Sequence, residues 1–153
     1  MKKVYLGTDH AGFEYKEAIK AALLEDGYEV EDMGALTYDE LDDYPDFIYP
    51  AAAAVGEDPD NRMAIVLGGS GNGEAIMANK VKGVRAALGF DLFTVEKSRE
   101  HNNANVLSLG ARTLTKEQAV EFARLWLKTP FPGDERHVRR IDKMKAIENN
   151  LYR

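Results

Sequence analysis

Chemistry is concentrated in Gly68-Gly69-Ser70-Gly71-Asn72-Gly73-Glu74, which follows the apolar run Met63 to Leu67. Glycines in this density let backbone N–H groups turn together toward one anion. A carboxylate at position 74 then stands where proton abstraction next to a carbonyl needs a base, beside donors that can hold the resulting oxyanion. The same residues also read as a tight strand-to-helix turn, with Glu74 favouring the helix dipole. Ser70 can move a proton on a substrate oxygen, or only close the turn. No Lys-Ser or Lys-Thr pair follows, as a Walker A loop requires, and Glu74 fills the place of the last glycine in G-x-G-x-x-G. Neither ATP nor NAD is therefore expected. A G-x-S-x-G hydrolase elbow fails as well, because Asn72 takes its fifth position.

The three histidines are dispersed. His10 follows Asp9 at the end of an apolar run, His101 precedes Asn102-Asn103, and His137 lies among arginines. No two share a helix face at metal-ligand spacing, there is no His-Glu-x-x-His, and cysteine is absent, so no metal site is expected. Missing cysteine also rules out disulfides and a thiolate nucleophile. Arg136, His137, Arg139 and Arg140 form a basic cluster in which 136 and 140 share a helical face. It reads either as a solvated helix paired with Glu135 and Asp142, or as a phosphate clamp that Arg112 completes. The net charge of -6 opposes phosphate backbones and anionic membranes, and no interleaved aromatics accompany the cluster. Neither a nucleic-acid nor a membrane partner is expected. No apolar run approaches the roughly 20 residues of a membrane helix, and Met1-Lys2-Lys3 leads into a strand-like run rather than a signal peptide. A soluble cytoplasmic protein is the expectation.

The elements that must position these groups alternate along the chain. Lys3 to Gly7, Tyr28 to Met33, Met63 to Leu67, Val84 to Phe90 and Val106 to Leu109 read as strands. Helical spacing runs from Phe13 to a stop at Asp26-Gly27, from Pro45 to Gly56, Glu74 to Lys80, Leu92 to Asn102 and Lys116 to Lys128. Beyond Pro130-Phe131-Pro132-Gly133 a last helix covers about 134–150. Strands joined by helices of this length require parallel crossovers. The expectation is one domain over residues 1–153: an α/β three-layer α/β/α sandwich, Rossmann-like, with a five-stranded parallel sheet and an extra C-terminal helix. Ligands of such sheets bind beyond the carboxyl ends of the strands.

Taken together, Gly7-Thr8-Asp9-His10-Ala11-Gly12-Phe13, Asp43-Tyr44-Pro45-Asp46, the segment 68–74, Ala78-Asn79-Lys80, Gly83-Val84-Arg85-Ala86, the segment 98–106 and Gly110-Ala111-Arg112 resemble the ribose-5-phosphate isomerase type B family. That family also contains galactose-6-phosphate isomerase subunits. The resemblance implies a metal-free, cofactor-free aldose–ketose isomerase that interconverts ribose 5-phosphate and ribulose 5-phosphate through a cis-enediolate. Many members carry a cysteine base at the position of Gly68, and this chain is similar to the branch that uses a glutamate, here Glu74. It further implies Ser70 in proton movement between O1 and O2, and N–H groups of Gly69, Gly71, Asn72 and Gly73 on the enediolate. His101 would open the sugar ring with Asp9 as partner, with Asn102 and Tyr44 near the sugar. His10, Arg112, Arg136, His137 and Arg140 would meet the phosphate. The site is expected between the subunits of a homodimer, reached by the C-terminal arm. A hexose 6-phosphate substrate and a non-catalytic phosphosugar-binding module are the alternatives.

Overall fold

The computed structural model describes residues 2–151. Five strands, β1 (Lys3–Thr8), β2 (Val30–Asp32), β3 (Arg62–Gly68), β4 (Ala86–Leu88) and β5 (Val106–Gly110), form one sheet in the order β2-β1-β3-β5-β4. Every neighbouring pair is parallel. The helices are α1 (Phe13–Glu25), α2 (Pro45–Glu57), α3 (Asn72–Ala78), α4 (Leu92–Glu100), α5 (Lys116–Lys128) and α6 (Glu135–Leu151), with a 3-10 turn at His10–Gly12 before α1. This is the expected Rossmann-like sandwich.

The two-residue period of the strands divides the core. Val4, Leu6, Met63, Ile65, Leu67, Leu107 and Leu109 pack with Ile19 and Leu23 of α1, Val95 of α4, and Phe122 and Trp126 of α5. Their strand neighbours Tyr5, Ala64, Val66 and Val106 point the other way, onto Ile48, Ala51 and Val55 of α2 and Ala78 of α3. Helix α5 has the bounds that its periodicity predicts, with Thr115 and Gln118 forming a capping box. The edge strands β2 and β4 are shorter than expected: each has one neighbour, and only three residue pairs keep register. α3 begins two residues earlier than expected, at Asn72, because Gly71 turns the chain through φ +82 and leads directly into the helix.

The order in which strands are laid across the sheet reverses between β1 and β3, which lie side by side although β2 and α2 separate them in sequence. The loops leaving these two strands depart to opposite faces: α1 packs in one core and α3 in the other. The crevice at such a switch point is where ligands of this architecture bind. Asp9 and His10 follow β1 there, and the glycine-rich loop follows β3.

Candidate active site

Glu74 sits in the first turn of α3 and is only 4% exposed. Its carboxyl lies against the Cα of Gly68, so closely that a Cβ at 68 would overlap Oε1 and Cδ. Gly68 is therefore the residue that makes room for Glu74. Burial pushes the carboxyl's pKa up and the Asp9 charge adds to this, while N–H groups of Glu74 and Gly71 pull it down; the net direction is upward. A raised carboxyl in a crevice has the profile of a general base.

The loop is pinned from outside by a residue the sequence did not mark. Ser108 of β5, fully buried, donates from Oγ to the Gly71 carbonyl at 2.7 Å. Ser70 Oγ accepts the Asn72 N–H at 3.2 Å. The N–H groups of Gly71 and Asn72, both expected to face a ligand, are thus engaged with the Glu74 carboxylate and Ser70 respectively. A Cβ at Gly73 would meet the Tyr44 ring, and one at Gly69 the Arg112 guanidinium. The phenol and the guanidinium accordingly flank the two ends of the loop.

On the β1 side, Asp9 caps the 3-10 turn by accepting the Ala11 N–H at 3.0 Å. His10 Nδ1 lies 2.7 Å from Asp42 Oδ1, and Arg112 is near enough to oppose protonation of the imidazole. Asp9, His10 and Asp42 each place a possible ligand atom within 4.8 Å of one another, a grouping of metal-ligating types that helix-face spacing did not disclose. Asp42 comes from the segment between β2 and α2, far from His10 in sequence. Lys16, buried and bound to Asp32 and to the Ala35 carbonyl, secures the start of that segment.

Contacts collect the remaining residues into a second cluster. His101 caps the end of α4, and its ring stacks on His137 of α6 with centroids 4.4 Å apart and planes 17° from parallel. The expected partner of His101 was Asp9, but Asp9 belongs to the Glu74 cluster of its own chain. Two arginines shape the segment that follows His101. Arg85 donates to the carbonyls of Asn102 and Asn103, and Arg99 to Asn103 Oδ1 and the Ala104 carbonyl. They hold Asn103 at φ +46, a left-handed turn that asparagine tolerates. Asn102 lines a cleft of about 380 Å³ with Asn79, Met144 and Glu148.

His137 is 6% exposed and its Nε2 is buried without a partner. Burial, with His101, Arg136 and Arg140 nearby, lowers its pKa, which favours the neutral ring. Arg136 and Arg140 thus lie around His137, whereas Arg139 pairs with Glu135 at 2.7 Å. Of the four basic residues, 136, 137 and 140 form the cluster and 139 is the solvated ion pair.

A buried carboxyl beside a glycine-rich loop, with imidazole and guanidinium groups near by, has the composition of an α/β enzyme site that moves protons on a small anion. It does not define a nucleotide-binding Rossmann protein, whose glycine spacing is missing. Residues 4–144 match the family model described as Ribose/Galactose Isomerase. The chain belongs to the ribose/galactose isomerase family and is an isomerase. It is 47% identical over 146 residues to "Ribose-5-phosphate isomerase B" of Mycolicibacterium paratuberculosis, covering 95% of this chain and 91% of that protein. The crystal structure of ribose-5-phosphate isomerase B from Mycoplasma genitalium with bound ribulose-5-phosphate superposes with a TM-score of 0.93 at 38% identity, covering 96% of both chains. Trypanosoma cruzi type B ribose 5-phosphate isomerase does so with a TM-score of 0.91 at 40% identity, covering 99% of both. No helix among the described residues is long and apolar enough to cross a membrane.

Proposed function

We propose that the protein interconverts D-ribose 5-phosphate and D-ribulose 5-phosphate through a cis-enediolate. The observation that carries this is the Glu74 carboxyl, buried against Gly68 at the mouth of the glycine-rich loop. Glu74 takes the C2 proton and returns it to C1, while loop N–H groups of Gly69, Gly71, Asn72 and Gly73 meet the charge that develops on the enediolate oxygens. Gly71 and Asn72 hand their N–H groups from Glu74 and Ser70 to the substrate as it binds. Ser70, freed of Asn72, shuttles the proton between O1 and O2. Tyr44 borders the sugar.

His10 and Arg112 receive the phosphate on the Glu74 side. His101, Asn102, Arg136, His137 and Arg140 complete the site from the other cluster, with His101 opening the ring against Asp9 and Asn102 meeting hydroxyls. We place these two clusters in different subunits of a homodimer. Support comes from α6, which buries only His137 and Ile141 in its own chain. Its Val138, Met144, Ile147 and Leu151 are exposed, as are Phe90 and Phe93 beyond β4, and apolar patches of this kind seek a partner.

Purified Glu74→Gln should lose ~10²- to 10⁴-fold in kcat on ribose 5-phosphate, the range for removing a general base. Parental turnover would remove Glu74 from that role. Ribose, allose and galactose phosphates assayed side by side should give the highest kcat/KM for the pentose; a hexose preference would move the substrate to the galactose side of the family. Solvent deuterium should enter the carbon next to the carbonyl, and tight binding without exchange would indicate a binding module instead. For the dimer, refolding Glu74→Gln with His101→Ala subunits should restore about a quarter of parental activity, since each mixed dimer keeps one intact composite site. No recovery would place both clusters in one subunit's site.

A further inference from the structure

Asp42 lies outside every motif that the sequence analysis used for its site residues, yet one of its oxygens meets His10 twice. Oδ1 accepts the His10 backbone N–H at 3.0 Å and stands 2.7 Å from the ring Nδ1. The Asp42 side chain is 9% exposed, that of His10 24%. A carboxylate only accepts, so Nδ1 carries the hydrogen of this contact and Nε2 is left at the far end of the ring. With the backbone N–H and Nδ1 both on Oδ1, the ring is fixed in position as well as in tautomer.

We propose that Asp42 is a positioning residue for phosphate binding: its carboxylate holds His10 as an imidazolium whose Nε2–H is the outward donor beside Arg112. This rests on the reading of His10 as a phosphate contact. An aspartate beside a dianion site is otherwise unfavourable, because it repels the ligand. Here the imidazolium stands between the two negative charges, so the ion pair presents its Nε2–H end, not the carboxylate, to the site. The grouping of Asp9, His10 and Asp42 has the same explanation. Oδ1 already takes two donors and Oδ2 is buried without a partner, and the Arg112 charge near the ring opposes a cation there.

The charged and titratable groups facing His10 are Asp9 from the end of β1, Asp42 and Tyr38 from the β2–α2 segment, and Arg112 from beyond β5. The hydrogen bond to Asp42 is the largest influence and raises the imidazole's pKa. Burial opposes it, Asp9 reinforces it, and Arg112 opposes it; the net direction is upward. The proton is therefore retained to higher pH than on an ordinary histidine.

Asp42→Asn keeps an oxygen for both donors and removes the charge, whereas Asp42→Ala removes both. With only three histidines in the chain, the His10 Cε1–H resonance is identified by its loss in His10→Asn and followed through a pH titration. Its midpoint should fall in Asp42→Asn. KM for ribose 5-phosphate should rise about 5-fold at a pH between the variant's and the parent's titration midpoints, the worth of a charge-assisted over a neutral hydrogen bond, and by less than ~2-fold at a pH below both, where the ring is protonated in either protein. The loss should fall on KM more than on kcat. In Asp42→Ala, KM should rise at both pH values.

An unchanged midpoint, or a KM ratio that is flat with pH in Asp42→Asn, overturns the proposal. If Asp42→Ala does not fold, Asp42→Asn and the titration decide alone. His10→Asn keeps the two readings apart. Parental KM in that variant removes His10 from the phosphate site, whereas a raised KM there with a silent Asp42→Asn refutes the role of Asp42 only.

Discussion

Gly68→Ala adds one carbon at the point where the structure leaves the Glu74 carboxyl its room. Gly68 closes β3, paired with Gly110, in a backbone conformation that alanine also adopts. The three atoms nearest to a new Cβ are all Glu74 carboxyl atoms, and the farthest of them is 2.6 Å away. Nothing in the main chain has to move; the carboxyl does. Restoring an ordinary separation of about 3.5 Å displaces it by ~1 Å or more. Reacting groups tolerate about 0.5 Å, and a 1 Å misplacement costs on the order of 10²-fold. A fall of ~100-fold in kcat/KM for ribose 5-phosphate is expected, about 2.7 kcal/mol of transition-state stabilisation. Because only a flexible side chain is displaced, the melting temperature should stay within about 4 °C of the parent. The double variant Gly68→Ala/Glu74→Gln should be no slower than Glu74→Gln alone, since both changes act on one group. The assay is initial-rate ribulose 5-phosphate formation, with thermal melts run on the same preparations. Parental kcat/KM in a fully folded Gly68→Ala protein would refute the placement of Glu74 over Gly68, or its part in the reaction.

Other outcomes follow from the same charges. Glu74→Gln should melt at a higher temperature than the parent at pH 7 to 8. The folded-state pKa of Glu74 is raised, so the folded chain favours the protonated carboxyl and loses that stability as pH rises through the folded value. The gap between the two melting curves should close as pH falls below that value, and a gap independent of pH would contradict the assignment. Asp9→Asn should move the acid limb of the kcat/KM profile to lower pH, because the Asp9 charge helps to hold Glu74 protonated. A limb that stays in place would show Asp9 to be too far from Glu74 to matter. Arg136→Ala and Arg140→Ala should each raise KM by ~10-fold or more, the worth of a charge-assisted hydrogen bond to phosphate. Arg139→Ala should change neither KM nor stability by more than ~0.5 kcal/mol, since its i,i+4 pair with Glu135 is exposed. Equal effects at all three positions would remove the distinction between a clamp and a solvated face.

What the order of residues determines here is mostly local. α5 is legible because Ala119, Phe122, Ala123 and Trp126 recur at helical spacing between two good boundaries. The central strands β3 and β5 are legible because they are apolar runs closed by polar or glycine residues. Glu74 is legible beside the glycine-rich loop for the same reason: the two are consecutive in the chain. The edge strands are not, since the runs from Tyr28 to Met33 and from Val84 to Phe90 become strand only where their single neighbour pairs with them, and that neighbour is chosen by the sheet. Nor are Ser108, Arg85 and Arg99, whose side chains brace main-chain atoms of other segments and carry no periodic signature.

The division is sharpest around the histidines. Sequence places His10 at a strand end and His101 before a pair of asparagines, and from there it cannot say what each ring touches. The fold puts Asp42 on the first and His137 on the second. The first contact lies beyond the carboxyl ends of β1 and β2, and the second where α4 returns the chain to the start of β5, so each joins segments that are remote in sequence. Covalent neighbours set the loop and its carboxyl. Strand order, a property of the whole sheet, decides which charges surround them.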